Sequence, residues 1–177
     1  IMAKIAFLGL GVMGYPMVGH LQAKGHSVTV YNRTRAKSSA WVAEYGGAQQ
    51  NTPRAAAEGA EFVMACVGND HDLRSVVLGD DGALEGMSDG SVFVDHTTVS
   101  ALVTDELFLA AKSNGIDFVD APISGGQAGA ENGVLSIMCG GAQPAYDRAE
   151  PVMAAYSRIR RRIGESGAGQ KNQNVQP

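Results

Sequence analysis

One stretch near the start of the chain, Lys4-Ile-Ala-Phe-Leu-Gly-Leu-Gly-Val-Met-Gly14, limits the possible folds more than any other. An apolar-rich run ends at Gly9, and Gly9, Gly11 and Gly14 then stand at the spacing G-x-G-x-x-G. The run implies a buried strand. Val12, Met13, Met17, Val18 and Leu21 recur at helical spacing up to Lys24, and Gly25 follows as a C-terminal cap. A strand that turns so tightly into a helix offers backbone N–H groups at the helix N-terminus, where a dinucleotide pyrophosphate can rest. Gly9 permits the turn, Gly11 lets the backbone approach the phosphate, and Gly14 lets helix and strand pack closely. Leu10, Val12 and Met13, between the glycines, belong to the same expected contact.

The rest of the chain keeps alternating strand and helix patterns. Ser27 to Tyr31 is β-branched and aromatic, a second strand. Thr34 to Tyr45 reads as a helix closed by Gly46 and Gly47. Thr52-Pro53 starts a short helix to Glu58 by placing a capping hydroxyl before a proline. Phe62 to Val67 is a buried strand. Asp70 then caps a helix through Leu78, with Asp72 in its first turn, where the helix dipole favours acids. The loop Gly79 to Gly82 and the turn Ser88-Asp-Gly90 lead to a strand at Ser91 to Asp95. Ser100 begins a helix to Asn114, with Leu102, Leu107, Phe108 and Ala111 inward. Asp117 to Ala121 is a strand ended by Pro122, and a glycine-rich loop precedes a strand at Val134 to Cys139. Pro144 to Ala155 is helical. Ser157 to Ile163 is an edge strand, since Arg158, Arg160, Arg161 and Arg162 leave little apolar face. Such alternation predicts an α/β fold built on a doubly wound, mostly parallel sheet.

Composition removes several classes of partner. A net charge of −4 over 177 residues argues against nucleic acid or an anionic membrane surface. No apolar run approaches the ~20 residues of a membrane span, and no signal peptide is visible. Cys66 and Cys139 lie in apolar runs and are expected as buried free thiols of a cytoplasmic protein. His20, His26, His71 and His96 show no metal-ligand spacing, so no metal is assigned.

The end of the second strand decides which dinucleotide fits. Sites for NAD usually place an acid there to accept from the ribose 2′-hydroxyl. Here Asn32 takes the acid's place, followed by Arg33, Thr34 and Arg35, with Lys37 one turn on. Basic residues at a helix start oppose its dipole, and a guanidinium grips a 2′-phosphate bidentately, so the cofactor expected is NADP, with NADPH preferred over NADH. The same feature weakens an S-adenosylmethionine site, which also wants an acid on its ribose.

Four motifs, in order, now carry a resemblance: Gly9-Leu-Gly-Val-Met-Gly-Tyr-Pro-Met17, Asn32-Arg-Thr34, Asp120-Ala-Pro-Ile-Ser-Gly-Gly126, and Gly129 to Gly141 with Gly133, Leu135, Met138 and Gly140. Together they resemble the β-hydroxyacid dehydrogenase family, whose members include 3-hydroxyisobutyrate dehydrogenase and tartronate semialdehyde reductase. The resemblance implies an N-terminal Rossmann domain, a long helix, and an all-helical second domain through which the family forms homo-oligomers. It implies reversible hydride transfer between NAD(P)H and a short 3-hydroxy acid or semialdehyde. Ser124, Gly125 and Gly126 would take the carboxylate of that small substrate. Val67, Gly68 and Asn69 resemble the segment lining the adenine-ribose end of the cofactor, and Thr97 and Thr98 the segment at its nicotinamide end. Asp70 and Asp72 read as helix-start acids rather than a catalytic pair. His96 stands where relatives often carry a small or apolar residue, and its role is open.

The family pattern continues G-x-G-Q-x-x-K-x-x-N, with the lysine as proton donor and the asparagine on substrate. This chain has Gly167-Ala-Gly-Gln170 and then Gln173 and Gln176 at those two positions. Lys171 is two residues early, about 200° round a helix, and should not substitute. Residues 1–163 are thus expected as the NAD(P)-binding domain, and 164–177 as the start of an interdomain helix or an aberrant tail, with the second domain missing. Removing one A from the Asn172 codon of a back-translated tail allows a lysine at position 173 and an asparagine at 176, so a frameshifted, non-catalytic chain is expected, with a vector-derived end or a pseudogene fragment as the alternatives for the tail. A non-catalytic NADP(H)-binding module and an imine reductase-like relative are the alternatives.

Overall fold

The strand ahead of the glycine motif lies inside the sheet, and the helices that follow successive strands cover both of its faces. The computed structural model describes residues 2–175. The chain begins β1 (Lys4–Leu8), α1 (Gly14–Ala23), β2 (Ser27–Tyr31), α2 (Arg35–Tyr45), β3 (Ala48–Gln49) and α3 (Pro53–Ala57). It continues β4 (Phe62–Ala65), α4 (Asp70–Leu78), α5 (Ala83–Gly86), β5 (Val92–Asp95), α6 (Ala101–Ser113) and β6 (Asp117–Asp120). It closes with β7 (Ile123–Ser124), α7 (Gly126–Asn132), β8 (Leu135–Gly140), α8 (Gln143–Met153), a 3₁₀ turn (Ala154–Tyr156), β9 (Ser157–Gly164) and α9 (Ala168–Val175).

The strands form one sheet in the order β3-β2-β1-β4-β5-β6-β8-β7, with β9 on β8. Pairing is parallel from β3 through β6; β8 runs antiparallel to β6 and β7, and β9 is parallel to β8. The doubly wound, mostly parallel sheet therefore stands. From β1 the chain first winds outward through β2 and β3, then returns to β4 on the other side. That reversal leaves a crevice at the carboxyl ends of β1 and β4.

Both faces of the sheet are buried, so its strands read as continuous apolar runs. Ile5 and Phe7 of β1 join one core with Met17, Leu21, Trp41, Ala149 and Tyr156, while Ala6 and Leu8 join the other with Leu73, Val77, Leu107 and Ala111. β9 is an edge strand whose arginines are solvated or paired: Arg160 Nε lies 2.9 Å from Glu150 and Arg162 Nη2 2.7 Å from Glu165.

Several local expectations change. Asn69, not Asp70, caps α4; its Oδ1 accepts from the Asp72 N–H at 2.8 Å. Leu102 is 73% exposed rather than inward, because Val103 and Thr104 take the buried face of α6. The glycine-rich loop after β6 contains a helix, α7, which Gly125 and Gly126 turn into with φ of +134° and +64° and which Gly133 ends in the left-handed conformation. Glycines at both ends and Gly129 in the middle hid this helix from a reading by propensity.

Candidate dinucleotide site

A cleft of about 480 Å³ opens at the crevice between β1 and β4. Its walls include Gly9, Leu10, Gly11, Val12, Met13 and Gly14 after β1, Asn32, Arg33, Thr34 and Lys37 after β2, and Val67 and Gly68 after β4. Segments far apart in sequence meet because their strands are neighbours and end on the same edge.

The three glycines differ in what they require. Gly9 has φ +103°, and a Cβ there would strike the Cys66 carbonyl oxygen. A Cβ on Gly14 would strike the carbonyl oxygen of Gly9. The fold itself needs both. Gly11 meets nothing within 4 Å, so no atom of the described residues explains its missing side chain. The space over it is a cradle that a methyl group would fill. Helix α1 begins beside it with no side-chain cap and no acid in its first turn, which leaves N–H groups and the positive end of the helix dipole for an anion. A dinucleotide pyrophosphate fits these residues.

Asn32 ties the cleft together. Its Oδ1 accepts from the Leu10 N–H at 2.9 Å and its Nδ2 donates to the Thr34 carbonyl at 3.0 Å. The oxygen is occupied by the glycine loop, unlike that of an acid left free for a ribose. Thr34 precedes α2 without a side-chain capping bond. The Arg33 side chain is 84% exposed, with Nη1 3.4 Å from Asp72 Oδ1.

Other expected site residues lie outside the cleft lining. Asn69 is the α4 cap. Thr97 is buried, with its Oγ1 accepting from the Val67 N–H at 3.0 Å, so it shapes the cleft wall from behind; Thr98 is exposed past β5. Ser124, Gly125 and Gly126 are exposed between β7 and α7, beyond β6. The cleft gains residues the motifs did not single out: Tyr31, Cys66, His71, Asp72, Ser75 and Val76. The α4 members follow from helical spacing, since 68, 71, 72 and 75 share one face of a helix that starts at the crevice. Cys66 is half-buried, and desolvation pushes its thiol up to about 12, so it is no nucleophile.

Behind the cleft lies a buried polar network. Asp95 and Asp120 are paired across β5 and β6, both fully buried. Asp95 Oδ1 accepts from the Thr97 N–H at 2.9 Å, its Oδ2 has no partner among the described residues, and burial raises its carboxyl to about 7. Asp120 accepts from the N–H groups of Gly167 at 2.7 Å and Gln170 at 3.0 Å; burial raises its carboxyl and these bonds oppose the shift. Buried Gln170 reaches back, accepting from the Val99 N–H and donating to the Thr97 carbonyl. These residues pin the start of α9 to the strand ends. Gly169 is required there, because a Cβ would meet the Met138 and Asp120 carbonyl oxygens at 2.5 and 2.7 Å.

His96 has a structural place. It is 1% exposed; its Nδ1–H donates to the Ala121 carbonyl at 2.7 Å and its Nε2 accepts from the Tyr156 hydroxyl at 2.6 Å. Desolvation holds it neutral, lowered to about 4. On α9, Lys171 is exposed and Gln173 half-buried, while Gln176 lies outside the described residues.

Residues 4–165 match the family model described as the NAD binding domain of 6-phosphogluconate dehydrogenase. The chain belongs to this family. It is 55% identical over 174 residues to an uncharacterized oxidoreductase of Shewanella frigidimarina, covering 98% of this chain and 60% of that one. Among solved structures, the 3-hydroxyisobutyrate dehydrogenase of Mycobacterium tuberculosis with L-serine superposes at a TM-score of 0.90 and 31% identity, over 98% of this chain and 58% of that one. Psf3 in complex with NADP+ and 2-OPP gives a TM-score of 0.90 at 26% identity, over 96% of this chain and 60% of that one. This NAD-binding domain thus spans about 60% of the length of such relatives, and it has the architecture of the hydroxyacid dehydrogenases. No helix among the described residues is long and apolar enough to cross a membrane.

Proposed function

We propose that the cleft binds NADP(H), in preference to NAD(H), and that the chain is the cofactor-binding part of an oxidoreductase acting on a short 3-hydroxy acid or semialdehyde. The observation that carries the reading is the open cradle over Gly11, beside an uncapped helix start and with Arg33 and Lys37 lining the same cleft. The backbone of Gly11 to Gly14 would hold the pyrophosphate, and Arg33, Thr34 and Lys37 the 2′-phosphate. Val67, Gly68 and Asn69 would border the adenine ribose, and exposed Thr98 the nicotinamide, with buried Thr97 supporting that wall from behind. The bound dinucleotide supplies hydride transfer.

The exposed turn Ser124-Gly125-Gly126 would offer a hydroxyl and backbone N–H groups to a substrate carboxylate. Residues 1–163 would form this domain, and the segment from Gly164 on the start of an interdomain helix or an aberrant tail. In a protein of the relatives' full length, a helical domain after α9 would close the site and form the homo-oligomer. Gln173 holds the position of the family's proton-donating lysine, so this chain is proposed to bind cofactor without turning over substrate. That substitution also favours the second reading, an imine reductase-like relative. Two free cysteines suit a reducing, cytoplasmic setting.

An NMR titration tests the assignment of both subsites. NADPH should shift the amides of Gly9 to Gly14, and a 3-hydroxy acid added next should shift those of Ser124 to Gly126 with a millimolar Kd, about −4 kcal/mol. Shifts confined to other amides would refute it.

A further inference from the structure

An acid in the first turn of a helix is accounted for by the helix dipole alone. For Asp72 the structure adds a second setting. Helix α4 starts at the crevice, and its first turn faces the loop that follows β2. Asp72 is anchored there by the cap, its N–H donating to Asn69 Oδ1 at 2.8 Å. Its side chain is 26% exposed, and its Oδ1 lies 3.4 Å from Arg33 Nη1 across the cleft. Among the described residues that line the cleft, Asp72 is the sole acid; it faces Arg33, and Lys37 lines the same cleft.

The two dinucleotides meet this carboxylate differently. A 2′-phosphate carries about −1.5 to −2 charge. It shares the Arg33 guanidinium with Asp72, whose Oδ1 lies 3.4 Å from Nη1, and it sits near a group of like charge. A ribose 2′-hydroxyl, by contrast, can donate to Asp72. That is the contact an acid after the second strand provides in NAD sites, and Asn32 does not provide it because its oxygen is held by the Leu10 N–H. We propose that Asp72 is a specificity-determining residue that narrows the preference for NADPH over NADH, by holding Arg33 across the cleft and by offering an acceptor to the 2′-hydroxyl. The inference rests on the dinucleotide reading of this cleft.

Asp72→Asn removes the charge and keeps the shape and the helix-start position. Fluorescence titration of the 177-residue chain with NADPH and with NADH reads the outcome. The ratio of the NADH Kd to the NADPH Kd should rise about three- to tenfold, as one removed unit charge allows across roughly 6 Å of solvent-exposed cleft. Most of the rise should come from tighter NADPH, with NADH unchanged or weaker. An unchanged or lowered ratio overturns the proposal. Asp72→Ser, also suited to a helix start, is measured alongside, and thermal melts confirm that both variants fold. Arg33→Ser separates this proposal from the one it rests on. If Arg33→Ser abolishes the preference while Asp72→Asn leaves it unmoved, the cleft reading survives and the role of Asp72 falls. If neither dinucleotide binds the unmutated chain, both fall.

Discussion

Gly11 and Gly14 stand three residues apart in one motif, yet replacing each with alanine should produce opposite kinds of damage. At Gly11 a Cβ meets nothing within 4 Å and the backbone is outside the left-handed region, so the chain should fold as before. Reduced freedom in the unfolded state would even stabilise it, by about 0.4–1 kcal/mol. The added methyl, however, occupies the cradle where backbone N–H groups must approach the pyrophosphate. Losing one charge-assisted hydrogen bond costs about 1.5–3 kcal/mol, so the Kd for NADPH should weaken roughly 10- to 100-fold. At Gly14 the methyl collides with the Gly9 carbonyl oxygen and lies 3.1 Å from Phe7 Cε1, neither of which can retreat cheaply from a buried turn. Overpacking of this kind costs about 1–3 kcal/mol of folding stability. Urea denaturation and cofactor titration on the two variants separate the effects. If Gly11→Ala binds NADPH as the unmutated chain does, or loses as much stability as Gly14→Ala, the cradle argument is wrong.

Two further outcomes follow from the buried polar network. Burial raises Asp95 from an ordinary carboxyl value to about 7, so between about pH 4 and 7 the native state holds a proton the unfolded state has lost; stability falls as pH rises through that window, by on the order of 4 kcal/mol. His96, lowered to about 4, acts oppositely: its contribution is complete above about 6.5 and lost as pH falls towards 4. Asp95→Asn cannot ionise and should therefore gain stability over the unmutated chain above pH 7 while losing it more steeply on acidification; parallel urea midpoints from pH 4 to 8 would contradict this. Asp120→Ala removes the acceptor of the Gly167 and Gln170 N–H groups and should cost about 1–3 kcal/mol for each left unpaired. Hydrogen exchange should then lose protection at residues 167–170 and keep it in β1.

How far the sequence revealed all this varies from residue to residue. The first strand, the glycine turn and the second strand were legible because each is a local pattern: an apolar run, fixed glycine spacing, β-branched residues. Their meeting at one crevice was legible too, since right-handed crossovers leave few topologies. Partners brought in by tertiary packing could not be read. Asp72 looked like a dipole acid, and only the distance to Arg33, 39 positions earlier, makes it a cleft residue. His96 had no readable partner because Tyr156 lies 60 residues on. Asp120 belonged to a motif associated with substrate, yet its carboxylate holds the start of α9, a contact spanning 47 residues to Gly167. Leu102 misled because helical spacing fixes a period and not a phase; Val103 and Thr104 showed which face is buried.

The most direct test of the central claim is the affinity of the unmutated chain for the two dinucleotides, measured by fluorescence titration or calorimetry at moderate salt. One charged, bidentate contact from Arg33 to a 2′-phosphate is worth about 1.5–3 kcal/mol, and the Asp72 carboxylate facing it points to the lower end of that range. NADPH should accordingly bind roughly ten times more tightly than NADH, and Arg33→Ser should bring the two together with NADH little changed. Equal affinities in the unmutated chain, or no binding of either dinucleotide, would contradict the account.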